Sequence, residues 1–238
     1  MLAAQTKAEL TLVLRNGEQL LLTLVIPLGL LLVLTKVDFV TVPDGRDRVG
    51  FFVPGVIALA VMSTAFTGQA IGVGFERQYG VLKRLGATPL PRHVLLGAKT
   101  LAVLVVELLQ LGLICAVGLL LGWDPDGSAA AALLLVALGT AAFSGLGLLL
   151  GGTLRGLTTL AAANLLWFVL LVLGGVLFPL SHFGAAEAVL QLLPTAALSD
   201  GLRQVLQGGS GLPLSDVLAL VVWAVLSLAA ASRLFRWE

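Results

Sequence analysis

From Ala129 to Gly152 the sequence reads AAAALLLVALGTAAFSGLGLLLGG, without one charged side chain. As a helix this stretch reaches about 36 Å at 1.5 Å per residue, enough to cross a hydrocarbon core of about 30 Å. Five further stretches have the same character: 19–35 with Pro27 at its middle as a kink, 51–75, 94–122, 157–180 and 217–232. Inside lipid every backbone N–H and C=O must be satisfied within its own segment, so such runs fold as helices. The chain is 58% hydrophobic and 11% charged, against about 25% charged in soluble domains. The expected fold class is an all-α integral membrane protein with six transmembrane helices. Five or seven spans remain alternatives, because the third run carries Lys99, Glu107 and Gln110 and could break there. Residues 185–206 hold a weaker apolar stripe.

Basic residues collect on the cytoplasmic side of a membrane protein. With six spans, one side receives Lys7, Arg15, Arg77, Lys83, Arg84, Arg92, Lys99, Arg155, Arg233 and Arg236, ten of the fourteen basic residues. The other receives Lys36, Arg46, Arg48 and Arg203, with eight of the thirteen acids: Asp38, Asp44, Asp47, Asp124, Asp126, Glu187, Asp200 and Asp216. Both termini are therefore expected in the cytoplasm, and the Leu, Ala, Gly and Val bias fits the inner membrane of a GC-rich bacterium. The first run is followed by TKVDFVTVPDG, which lacks a small-x-small cleavage site and reads as a retained span. Cys115, the single cysteine, lies in an apolar run and reads as a small buried hydrophobe.

Residues 1–18 precede the first span. Lys7, Thr11, Arg15 and Glu18 form a polar stripe at helical spacing, and Leu10, Val13 and Leu14 lie toward another face. The pattern predicts an amphipathic helix on the membrane interface, with a frayed polar tail as the alternative because the apolar face is narrow; one transmembrane domain over 19–238 follows. Glycines at Gly68/Gly72, Gly118/Gly122, Gly147/Gly151 and Gly152/Gly156 have the spacing that lets helix backbones approach closely in lipid.

The most informative stretch is polar. Residues 74–92 read GFERQYGVLKRLGATPLPR, longer and more patterned than a plain connection between helices, which needs about two to eight residues. Glu76 to Leu85 reads as one short helix beside the membrane, with Tyr79, Leu82 and Leu85 on one side and Arg77, Lys83 and Arg84 facing water or a partner. Gly86 suits a left-handed stop. Thr88-Pro89 reads as the N-cap and first turn of the next helix. An ordinary basic loop is the alternative.

The segment ERQYGVLKRLGATPLPR resembles the cytoplasmic segment of the ABC-2 family of ABC-transporter permeases, and is especially similar to its daunorubicin-resistance exporter branch. In that family an acidic–basic pair, a glycine, a leucine-basic step and a Thr-Pro recur in this order. LPTAALSDGLRQVL (193–206) is similar to the family's segment before the last span. The resemblance covers essentially the whole chain. It implies six spans, cytosolic termini, an N-terminal interfacial helix and a coupling helix over 76–85 formed by Glu76, Arg77, Gly80, Leu82, Lys83, Arg84 and Leu85, with Tyr79 on its apolar side. It further implies short extracellular re-entrant helices over 181–216, with Phe178 and Pro179 at an outer gate. Many relatives have a second acid where this chain has Gln78, which bears on the number of ionic contacts in docking.

The resemblance also implies partners: two copies of a separate ABC ATPase subunit and a second permease, either identical or a close paralogue. The sequence contains no GxxxxGK[ST] phosphate loop, and the glycine-rich 145–156 lacks the lysine. ATP and Mg are thus expected on the partner subunit, with no cofactor on this chain, no enzymatic activity of its own and no nucleic-acid partner; the surrounding lipid is the other contact.

Among polar groups within the spans, Glu107 is the one deep acid, with Gln110 one turn on. A central acid costs about 2.5–3.5 kcal/mol to insert, so it should face the bundle interior, either on a substrate route or in a structural hydrogen bond. Ser63, Thr64, Thr67, Gln69 and Asn164 are further candidates to line a route. Lys99 reads as a side chain reaching back to the interface, and His182 as a surface residue. The expected function is the transmembrane subunit of an ATP-driven exporter of a lipophilic or amphipathic, drug-like molecule, of the kind that confers multidrug efflux and antibiotic resistance. Alternatives are export of a lipid or glycan-lipid, which the 6% aromatic content disfavours, and a membrane assembly protein without transport. An intramembrane enzyme or proton-coupled transporter lacks its residues: there is no HExxH motif and no pair of intramembrane aspartates.

Overall fold

The computed structural model describes residues 1–37, 42, 47–88, 90–207 and 211–235, without the side chains of 18–20, 22 and 92. Of the residues weighed above, Asp38, Asp44, Arg46, Pro89 and Arg236 lie outside the described residues, as do the side chains of Glu18, Gln19 and Arg92.

The described chain is helical. In order it forms α1 (Leu2–Arg15), α2 (Gly17–Lys36), α3 (Arg48–Val61), a π-helical turn (Met62–Gly68), α4 (Gln69–Gln78), α5 (Val81–Gly86) and α6 (Arg92–Leu120). Then follow α7 (Ala129–Thr153), α8 (Gly156–Leu173), a 3-10 helix (Leu180–Ala186), α9 (Glu187–Leu190), α10 (Pro194–Leu206) and α11 (Leu214–Leu234). Five stretches are long and apolar enough to cross a membrane: Arg48–Gln78, His93–Leu120, Ala129–Thr153, Gly156–Leu173 and Leu214–Leu234. Before them lies α2, 20 residues that run through Pro27 and extend about 30 Å, with Thr23–Lys36 as a shorter apolar stretch.

The third run stays whole, as the six-span reading expects: α6 continues through Lys99, Glu107 and Gln110 because each finds a partner on a neighbouring helix. The fifth differs from its expected bound, ending at Leu173, short of 180, where Gly174 and Gly175 follow. Gly175 takes φ +71°, a left-handed conformation that stops a helix.

The second span is the central helix. Of its most apolar window 78% is buried, against 22% for α8 and for α11. It packs on α7, which also receives α11 and α10. Glycine makes the closest of these approaches possible: a Cβ on Gly147 would stand 2.7 Å from the Phe66 carbonyl, and one on Gly151 2.6 Å from that of Ala70. The same spacing at Gly72 meets nothing within 4 Å, so only some of the sequence pairs are packing contacts.

The bundle has two different ends. Where α3, α7 and α11 begin, α10 fills the space between them, and its 13 residues amount to about 20 Å, too short to cross a bilayer. Arg203 of α10 is 4% exposed. It donates to the carbonyls of Phe51 (3.2 Å) and Gly175 (2.7 Å) and pairs with Asp200 at 2.8 Å. Its guanidinium lies 3.9 Å from the Phe51 ring centroid. Phe178 and Pro179 sit beside this plug, half-buried and buried. At the opposite end a second apolar cluster gathers Val73, Leu82, Leu95, Leu96, Leu148 and Phe235, and α1 lies against α6.

Candidate functional site

The expected single helix over Glu76–Leu85 is two pieces. Residues through Gln78 complete α4, Gly80 takes φ +71°, and Val81–Gly86 form a separate turn and a half. The left-handed residue is therefore Gly80, and Gly86 lies inside α5 with Ala87 at φ −79° behind it. Thr88 does not cap the next helix: its hydroxyl donates to the Leu85 carbonyl at 2.6 Å, and α6 starts after Pro91.

The break sorts the stretch into two faces. Leu82 is fully buried in the apolar cluster and Leu85 packs partly against it, whereas Tyr79 is 69% exposed and stacks on Phe75. Tyr79 thus leaves the apolar side that its spacing predicted, because the turn at Gly80 rotates it away. Val81, Lys83 and Arg84 are exposed. Arg77 turns inward instead, donating to the carbonyls of Gly152 (3.1 Å) and Leu154 (3.2 Å) at the C-terminal end of α7. Cations are favoured at helix C-termini, where carbonyls are left without partners.

Glu76 also turns inward. Its Oε1 accepts from Lys99 Nζ at 2.8 Å, and the same ammonium pairs with Glu9 Oε2 at 2.8 Å. Lys99 is 6% exposed, so it does not reach back to the interface: two carboxylates on separate helices neutralise it in place. Removing one partner of a buried ion pair costs about 3–5 kcal/mol, so this triad locks α1 to α4 and α6. Sequence reasoning missed it. The usable signal was Lys99 itself, since a cation inside a span requires a counter-charge.

Above the triad lies a cavity of about 230 Å³ between α1, the π turn, α4 and α6. Its polar lining includes Glu9, Ser63, Thr64, Gln69, Glu76 and Lys99, and Leu12, Val13, Val73, Val103 and Val106 supply apolar wall. The π turn adds one residue per turn over Met62–Gly68, a geometry found at functional sites. It sets Ser63, Thr64 and Gly68 on the cavity.

The route residues expected from the sequence divide. Ser63 and Gln69 line this cavity; Ser63 accepts from Trp167 Nε1 at 2.9 Å, and Gln69 Nε2 meets Ser144 Oγ at 3.3 Å. Thr67 is half-buried and absent from the lining. Asn164 is exposed on α8 and donates to Leu160 O of its own helix. Glu107 and Gln110 border a separate space of only about 10 Å³. Glu107 accepts from the Thr140 hydroxyl, and Gln110 links Thr64 Oγ1 (3.0 Å) to the Thr23 carbonyl (2.8 Å). The structure thus gives both of them partners that join helices, away from the larger cavity.

A family model described as ABC-2 type transporter matches residues 2–206. The chain is also similar to the "Putative transport permease YvfS" of Bacillus subtilis (strain 168), 25% identical over 245 residues that span 99% of this chain and 97% of that protein.

Proposed function

The chain belongs to the ABC-2 type transporter family and is a multi-pass transport permease, and on that premise we propose that it exports a lipophilic or amphipathic small molecule from the cytoplasm or inner leaflet. A separate ABC ATPase, in two copies, drives it, and a second permease copy completes the unit in the bacterial inner membrane with both termini cytoplasmic. The outward face of Tyr79, Val81, Lys83 and Arg84 beyond the Gly80 turn carries this reading. It is basic, it projects from the end of the central span, and its buried counterpart Leu82 anchors it to the bundle. A force on α5 therefore reaches α4, and through Glu76 and Lys99 reaches α1 and α6. At the far end, the α10 plug with Phe178 and Pro179 is the outer gate.

Co-expression with candidate ABC ATPase subunits from the same genome tests the proposal. Lys83→Glu with Arg84→Glu should abolish co-purification of the ATPase and transport into inverted vesicles while the permease still inserts. Normal transport by that variant, or the absence of any ATPase partner, overturns it.

A further inference from the structure

The cavity is more acidic than its ion pairs require. Among the described residues its charged lining is Glu9, Glu76 and Lys99, two carboxylates against one ammonium. Both oxygens of Glu9 are engaged: Oε1 accepts from Gln5 Nε2 at 2.8 Å and Oε2 from Lys99. Glu76 Oε2 is buried and has no hydrogen-bond partner. Gln69 is 7% exposed, and its Oε1 likewise has none. Buried polar atoms are nearly always partnered, and these two, both lone-pair acceptors, belong to residues that line one cavity.

We propose that this cavity binds the head of a singly charged cationic amphiphile bearing N–H donors, with Glu76 Oε2 and Gln69 Oε1 as its acceptors. One cation balances the excess carboxylate. Both unpartnered atoms are buried acceptors that a turn of the side-chain end would bring to the cavity; an anionic head is repelled there and a neutral one leaves the charge uncompensated. Leu12, Val13, Val73, Val103 and Val106 take the first part of the tail. The assignment names the class of cargo for the export reading and rests on it. The site also lies at the triad: a bound ammonium would share Glu76 with Lys99, next to the α4 terminus that leads into α5.

Binding is measured on the purified permease in nanodiscs of zwitterionic lipid, without ATPase or ATP. Octylammonium is the probe, with octanol and octyl sulfate as controls. Octylammonium should bind saturably, and Glu76→Gln should weaken it by about tenfold, as loss of one charge-assisted hydrogen bond implies. Gln69→Met should also weaken it, by less, and because this change leaves the ion triad whole it decides the matter if Glu76→Gln does not fold. Equal octylammonium binding by wild type and Gln69→Met, or octanol binding as tight as octylammonium, overturns the proposal. Failure of the export reading looks different: octylammonium binds as described, yet it stimulates no ATP hydrolysis in the co-expressed complex.

Discussion

Among the described residues, each end of the bundle buries one cation, Arg203 at one and Lys99 at the other, and they are held in opposite ways. Arg203 is held largely by backbone: its fork of donors reaches the carbonyls of Phe51 and Gly175, and its carboxylate partner Asp200 lies on its own helix. Lys99 is held by side chains alone, and Glu9 and Glu76 come from two other helices. Backbone carbonyls cannot rotate away without unfolding their segments, whereas a carboxylate can exchange partners by turning about its side-chain bonds. The planar guanidinium suits the first task and the compact ammonium the second. A cavity adjoins Lys99. The comparison makes the α10 end the more firmly held closure and the α1–α4–α6 end the more readily adjusted one.

The largest effect that would break this contrast is at the plug. Arg203→Met leaves buried carbonyls unpaired and Asp200 without its cation, and should cost about 3–5 kcal/mol, read as the unfolding midpoint in detergent; a loss under about 1 kcal/mol would show that the closure does not rest on it. Lys99→Met should cost a comparable or slightly smaller amount, about 3 kcal/mol. Here adding Glu9→Gln should recover part of the loss in a double-mutant cycle, because the damage is unpaired charge; an additive cycle would mean that the triad is not coupled. Gly151→Val should cost about 1–3 kcal/mol by forcing α7 off the Ala70 carbonyl, and normal stability there would put the central packing elsewhere. The smallest change in stability is expected for Lys83→Glu with Arg84→Glu, within about 0.5 kcal/mol, despite complete loss of ATPase association.

That last pair sharpens what the sequence offered. Reversing Arg77 along with Lys83 and Arg84 looks from the sequence like one test of docking. The structure separates them: Arg77 closes the end of α7, so its reversal would damage the permease itself and confound the result. Glu76 moves in the same direction, from a docking residue toward a member of the internal triad. The stretch could be recognised from its charge and its glycines. Its division could not, because one left-handed residue at Gly80 decides which side chains turn in and which turn out, and periodicity assumes that the helix continues.

Hydrophobic run length, the cost of bare backbone in lipid and the asymmetry of Lys and Arg are local quantities. From them the sequence by itself determined the all-helical membrane fold, the approximate spans and the polar segment beyond the second one. Glu76 and Glu9 lie 23 and 90 positions from Lys99 along the chain, and no local pattern pairs them. Only the tertiary structure decided that they meet, that Glu107 and Gln110 serve to join helices, and that Ser63 and Gln69 share a cavity. Burial leaves an intramembrane charge in need of a partner, but helix packing selects which one it finds.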